Sequence, residues 1–174
     1  MKTFEQIKTE ILALAKQKGA CSGGYIPAEK STNIDELMKV IKDNFAWCYN
    51  NELVTIAILD EIGEPKVNEF GIYYKGEVER LKDLKGLYLC GSVKVKYLEN
   101  SQVLVMWGNS QVSEMWGNSQ VSVMRGNSQV SEMWGNSFAR SYSSNLPKET
   151  HDRYCFVDLQ NNKIYIGENL TLAK

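Results

Sequence analysis

The chain has 174 residues, 43% hydrophobic and 24% charged, with a formal net charge of −1. These are the values of an ordinary globular protein, long enough for one domain or two small ones. Twenty basic residues are interspersed with 21 acidic ones, which excludes both the basic field of a phosphate-binding surface and the acidic field of a nucleic-acid mimic.

The N-terminal stretch carries Glu5, Lys8 and Glu10 and does not read as a signal peptide. No run approaches ~18 apolar residues, so no membrane span is expected. Residues 1–62 read as a helical bundle. Thr3 with Gln6 forms a capping box, Phe4, Ile7, Ile11 and Leu14 share a face, and Gly19 follows as a stop. Cys21 to Gly24 reads as a turn, with a short helical piece over 25–29. A second capping box, Asn33 with Glu36, opens a helix bearing Leu37, Val40, Ile41, Phe45 and Cys48. Residues 52–62 suit a third helix, although Val54, Thr55, Ile56 and Ile58 also suit a strand. Residues 63–86 read as a charged connector with one short helix over 77–84.

From Leu87 the period changes to two, through Leu87, Leu89, Val93, Val95 and Tyr97. Then one phrase recurs from Asn100 to Gly135: NSQVLVMWG, NSQVSEMWG, NSQVSVMRG, NSQVSEMWG. A fixed short period marks a stacked repeat. Gly-Asn closes each unit, and these two residue types accept tight-turn conformations most cheaply. Glycine every nine residues weakens a helix, so a parallel β-solenoid is predicted, with Asn and Gln side chains able to form ladders along its axis.

Val105 and Val123 alternate with Glu114 and Glu132 at the sixth position. That alternation predicts a true period of eighteen, two nine-residue arms per coil. One arm stacks Val103, Met106 and Trp107 on Val121, Met124 and Arg125; the other stacks Glu114 and Trp116 on Glu132 and Trp134. The competing nine-residue coil sandwiches Arg125 between Trp116 and Trp134 in a cation–π stack but leaves almost no interior. Val112, Val121, Val130 and the methionines Met106, Met115, Met124 and Met133 are the expected interior, and the Val-x-x-Met spacing implies a bend. Phe138 to Tyr142 reads as a drifted terminal repeat. Residues 153–159 and 163–167 flank Gln160-Asn161-Asn162 as a hairpin, placed to cover the open end of the stack.

The fold class expected is therefore α+β: a helical bundle (1–62), a connector (63–86), a parallel β-solenoid (87–144) and a C-terminal capping hairpin (145–174). Glu114, Trp116, Arg125, Glu132 and Trp134 are the candidate partner-binding residues, since Trp and Arg dominate interface energetics. Cys21, Cys48, Cys90 and Cys155 are widely spaced, with no CxxC and with His151 as the one histidine. This argues against a zinc site and a disulfide framework, and for reduced, buried thiols of a cytosolic protein. His151, near Lys148, Glu149, Asp152 and Cys155, reads as a surface residue rather than as half of a catalytic Cys/His pair. Tyr25, Tyr73 and Tyr74 lack the interleaved basic residues of a base-stacking surface. No GxGxxG, P-loop, GxSxG or HExxH motif occurs, so neither an enzyme nor a cofactor is expected.

The repeat is similar to the tandem V-x-A-W/Y-G-N/S-A repeats of small β-solenoid proteins from gut bacteria, their prophages and phages. The matching residues are Val103, Val112, Val121 and Val130, the Trp-Gly-Asn at 107–109, 116–118 and 134–136, and the serine after each Asn. The stretch from Ile41 to Cys48 also resembles the helical leader that precedes such repeats. The familiar unit is eight residues long, and here it is nine. The resemblance implies a phage-borne inhibitor of host defence, anti-CRISPR proteins included. Such a protein would act without catalysis in the cytoplasm of a bacterial host, by occluding a protein partner such as a defence nuclease or its ribonucleoprotein. No direct nucleic-acid or membrane contact is expected, and the state is a monomer or small homo-oligomer. The second expectation is a self-assembling solenoid scaffold.

Overall fold

A computed structural model describes residues 2–143, 145–151 and 153–167. Of the residues singled out from sequence, Asp152 and the last seven of the predicted capping segment lie outside the described set. The chain divides into two compact units between Ile72 and Tyr73.

The first unit is helical: α1 (Phe4–Gln17), α2 (Ser22–Lys30), α3 (Ile34–Asp43), α4 (Phe45–Asn50), α5 (Ile56–Ile62) and α6 (Glu64–Glu69). The Thr3 hydroxyl accepts from the Gln6 amide at 3.3 Å while Gln6 accepts from the Thr3 amide at 2.8 Å, which closes the predicted capping box. At α3, Asn33 accepts from the Glu36 amide at 3.0 Å. Glu36 instead reaches the amide and hydroxyl of Thr32, at 2.7 and 3.0 Å, one residue earlier than a capping box requires. Ile7, Ile11 and Ala15 of α1 are buried, as are Leu37, Met38 and Ile41 of α3.

Two sequence expectations differ here. The predicted turn at Cys21–Gly24 is the start of α2, which contacts both α1 and α3; packing outweighs the poor helix propensity of Gly23 and Gly24. The helix opened at Asn33 breaks at Asn44, whose side-chain amide donates back to the Val40 carbonyl at 2.9 Å. That local bond competes with continuation of the helix.

The second unit is a parallel β-solenoid. Its strands are β1 (Ile72–Tyr73), β2 (Glu77–Lys82), β3 (Leu87–Leu89), β4 (Lys94–Glu99), β5 (Gln102–Met106), β6 (Gln111–Trp116), β7 (Gln120–Met124), β8 (Gln129–Met133), β9 (Phe138–Ser141), β10 (Glu149–Thr150), β11 (Cys155–Asp158) and β12 (Lys163–Ile166). The odd strands, with β12 added beside β11, form a sheet ordered β1-β3-β5-β7-β9-β11-β12, and the even strands β2 to β10 form one ordered β10-β8-β6-β4-β2. Each coil thus contributes one strand to each sheet. Val103 pairs with Val121, Met106 with Met124, Val112 with Val130 and Met115 with Met133. The coil is eighteen residues, and the nine-residue alternative with Arg125 between two tryptophans is excluded.

Valine and methionine three apart in one strand both point inward, burying Val103, Val112, Val121, Val130 and all four ladder methionines to 2% exposure or less. Gly108, Gly117, Gly126 and Gly135 turn the corners at φ between 65° and 68°. Asparagine ladders run along the axis, Asn127 donating to Asn109 at 3.1 Å and Asn136 to Asn118 at 3.2 Å.

The solenoid extends beyond the repeated phrase on both sides. The segment 77–84, expected as a connector helix, holds strand β2, paired with β4 through Val78–Val95 and Leu81–Leu98. In β4 the inward residues are Val95 and Leu98, three apart where the sequence pattern suggested a period of two, and Tyr97 is only half-buried. These outer coils are a residue shorter: Val95 pairs with Val112 and Glu132 with Glu149, each seventeen apart. At the C-terminal end β11 and β12 form the predicted hairpin, antiparallel, with Asn162 in the left-handed region at φ 54°.

Candidate functional site

The even-strand sheet presents its outward residues in columns. Because Val112 and Met115 point inward, Glu114 and Trp116 point out, and the register sets Glu114 beside Glu132. The indoles of Trp116 and Trp134 stack with centroids 5.0 Å apart and planes 2° from parallel, the spacing of neighbouring strands. Each indole N–H donates to the glutamate two residues earlier, Trp116 to Glu114 at 2.9 Å and Trp134 to Glu132 at 3.2 Å. Neither ring is free to rotate independently. Trp116 is 39% exposed.

The columns continue in both directions. On β10, Glu149 stands beside Glu132. His151 stacks on Trp134 at 3.6 Å, with rings 16° apart. Towards the N-terminal coils the next positions hold Tyr97 and Glu99, then Arg80 and Lys82. There the charges are mutually neutralised: Glu99 pairs with Arg80 and, at 2.8 Å, with Lys82, and Glu79 pairs with Lys96 at 2.9 Å. Arg80 also lies over the Tyr97 ring at 4.9 Å. Arg80, Tyr97, Glu99 and Trp116 line a cleft of about 480 Å³. The face is therefore a strip running from a paired basic end, through aromatic rings, to an acidic end.

Four of the five predicted partner-binding residues meet on this strip. The fifth does not: Arg125 follows β7 on the odd-strand sheet, where its guanidinium covers the Tyr142 ring at 4.8 Å. In that column it takes the place that Trp107 holds one coil earlier, and Trp107 is buried against Tyr88. Sequence reasoning left Glu149 and His151 as surface residues outside the repeat, and the register places them on the strip. Glu149-Thr150-His151 repeats the pattern of Glu114-Met115-Trp116 and Glu132-Met133-Trp134, with imidazole in place of indole.

The cysteines are free thiols. Burial pushes the Cys48 thiol up to about 11 and the Cys90 thiol up to about 12, so neither is a nucleophile near neutrality. Cys21 is exposed and Cys155 partly so, which differs from the expectation of four buried thiols. The helical unit contains an apolar cavity of about 360 Å³ lined by Ile11, Tyr25, Ala28, Val40, Trp47 and Leu53 among others.

In comparisons with known proteins, the chain matches no family model, no curated protein and no solved structure.

Proposed function

We propose that this chain is a non-enzymatic binding protein that docks a protein partner on its Glu/Trp strip. The observation that carries this reading is the pre-stacked, partly exposed pair Trp116 and Trp134, each indole tied to its own carboxylate. Tryptophan is the residue type most enriched at binding hot spots. Rings already held in place lose little further freedom on docking, so more of their contact energy appears as affinity. The interspersed charges of the chain, 20 basic against 21 acidic, favour a protein over a nucleic-acid partner.

The finer reading follows from the resemblance of the repeat to those of phage and prophage β-solenoids. It is an anti-CRISPR-like inhibitor, in the cytoplasm of a bacterial host, occluding a defence nuclease or its ribonucleoprotein. The test is affinity capture from host lysate with the wild-type chain and a Trp116→Ala, Trp134→Ala double variant. Capture of a defence component by the wild type, and its loss in a double variant of unchanged circular dichroism, is the expected result. Equal capture by the variant removes the strip as the docking surface and moves attention to the helical unit.

A second reading, a self-assembling scaffold, is favoured by the edge strand β12, where Ile164 is 66% exposed. Light scattering separates the two: a series of oligomers growing with concentration supports the scaffold, and a single species supports the binder.

A further inference from the structure

The last rung of the strip gathers a donor set the other rungs lack. One ligand atom from each of Glu132, Glu149 and His151 lies within 4.8 Å of the other two. Sheet register brings them together. Glu149 pairs with Glu132 across parallel strands, and the His151 amide donates to the Met133 carbonyl at 2.9 Å, which carries the imidazole over to Trp134.

Two features of this rung need an explanation. The His151 ring is partly exposed, but its Nε2 is shut off from solvent and has no hydrogen-bond partner among the described residues; the nearest carboxylate oxygen among them, on Glu149, is 3.8 Å away, too far for a hydrogen bond. A buried nitrogen of this kind carries an energetic cost unless something binds it. Glu132 and Glu149 also sit directly opposite one another, a like-charge pairing that destabilises a sheet. Among the described residues neither has a lysine or arginine ion-pair partner, whereas the carboxylates of the basic end are paired.

We infer that Glu132, Glu149 and His151 form a binding site for a divalent transition metal of the zinc type. One imidazole nitrogen with two carboxylates is a donor set suited to such ions. Metal–ligand bonds of about 2.0–2.2 Å let one ion span the 3.8 Å between His151 and Glu149. A shift of about half an ångström brings the widest separation within the same reach. A single outer residue, Trp134, positions two of the three donors: its N–H holds Glu132 at 3.2 Å and its ring face holds His151. Three protein donors leave the remaining coordination position to water. The site goes beyond the docking reading and does not depend on it.

The test is calorimetric titration of zinc chloride into the chelator-treated full-length chain, with no partner present. The expected result is one saturable zinc per chain and a zinc-dependent change in tryptophan fluorescence. His151→Ala and Glu149→Gln each weaken zinc binding at least about tenfold, while Cys21→Ser, which removes the exposed thiol, leaves it unchanged. Circular dichroism checks folding, and His151→Gln replaces His151→Ala if that variant does not fold. The inference is overturned if the wild type shows no saturable binding. It is equally overturned if the His151 and Glu149 variants bind like the wild type, or if binding disappears with Cys21→Ser. Because partner capture is read separately, failure of either result leaves the other standing.

Discussion

Ser101, Ser110, Ser119, Ser128 and Ser137 hold the position after each repeated asparagine and are all buried to 2% exposure or less, yet they are not equivalent. Ser119 Oγ lies 2.8 Å from the Leu98 carbonyl and 2.7 Å from that of Trp116, tying one coil to the last. Ser110 and Ser137 Oγ have no hydrogen-bond partner among the described residues. A buried hydroxyl contributes only when its bond is made, and costs free energy when it is not. Ser119→Ala should therefore destabilise the chain by about 1 kcal/mol, and Ser110→Ala should be neutral or stabilising. Urea midpoints of the two variants measure this; equal losses would show that the column acts by size alone. The glycines follow the opposite logic, since every one matters. At Gly108, φ is 65° and a Cβ would stand 2.8 Å from the Gly91 carbonyl oxygen, so neither the conformation nor the space admits a side chain. The Gly-Asn turns were legible in the sequence for that reason. The rung at His151 was not, because Glu149-Thr150-His151 shares only its glutamate with the repeated phrase, and only the register shows that imidazole has replaced indole.

Among the elements, the miss at β2 is the instructive one. Glu77-Val-Glu-Arg-Leu-Lys82 is rich in good helix formers, and Val78 and Leu81 are three apart, the spacing of one helical face. A bent solenoid strand uses the same spacing: Val95 and Leu98, Val112 and Met115, and Val130 and Met133 all point inward as such pairs. Local sequence cannot separate the two, and pairing with β4 decides. Helices α1 and α3 of the first unit needed no such partner to be legible, because Thr3 and Asn33 cap them through their own side chains. The stacked interior also predicts graded costs. Met115 on β6 has Leu98 on one side and Met133 on the other, while Leu81 on β2 has only Leu98 beside it within the sheet. Met115→Ala should cost about 2–5 kcal/mol, the range for emptying a packed core position. Leu81→Ala should cost less, because the terminal coil can relax around the gap. Equilibrium unfolding of both variants tests the order, and a larger loss at Leu81 would contradict it.

At the scale of the whole molecule, the repeated phrase has a period of nine while the fold has a period of eighteen. Stability in such a stack is close to a sum over coils and their interfaces, so the unit that can be removed is a coil and not a phrase. Deleting residues 109–126 joins Gly108 to Asn127 and carries β5 directly into β8, which takes the place of β6 in the same sheet. Every later strand, including the β11–β12 hairpin, keeps its sheet. Deleting residues 109–117 also preserves a Gly-Asn junction, joining Gly108 to Asn118, and removes half as much chain. It nevertheless moves β7 into the even-strand sheet and sends β9 and the hairpin to the wrong side of the stack. Arg125 would then take the place that Trp116 holds, and Trp134, Glu132 and β10 would cross together to the odd-strand side. The longer deletion should unfold cooperatively with a modestly lower urea midpoint, while the shorter one should lose more stability or cooperativity altogether. If the nine-residue deletion proves at least as stable as the eighteen-residue one, the two arms of each coil are interchangeable, and the chemical difference between the two faces has no structural basis.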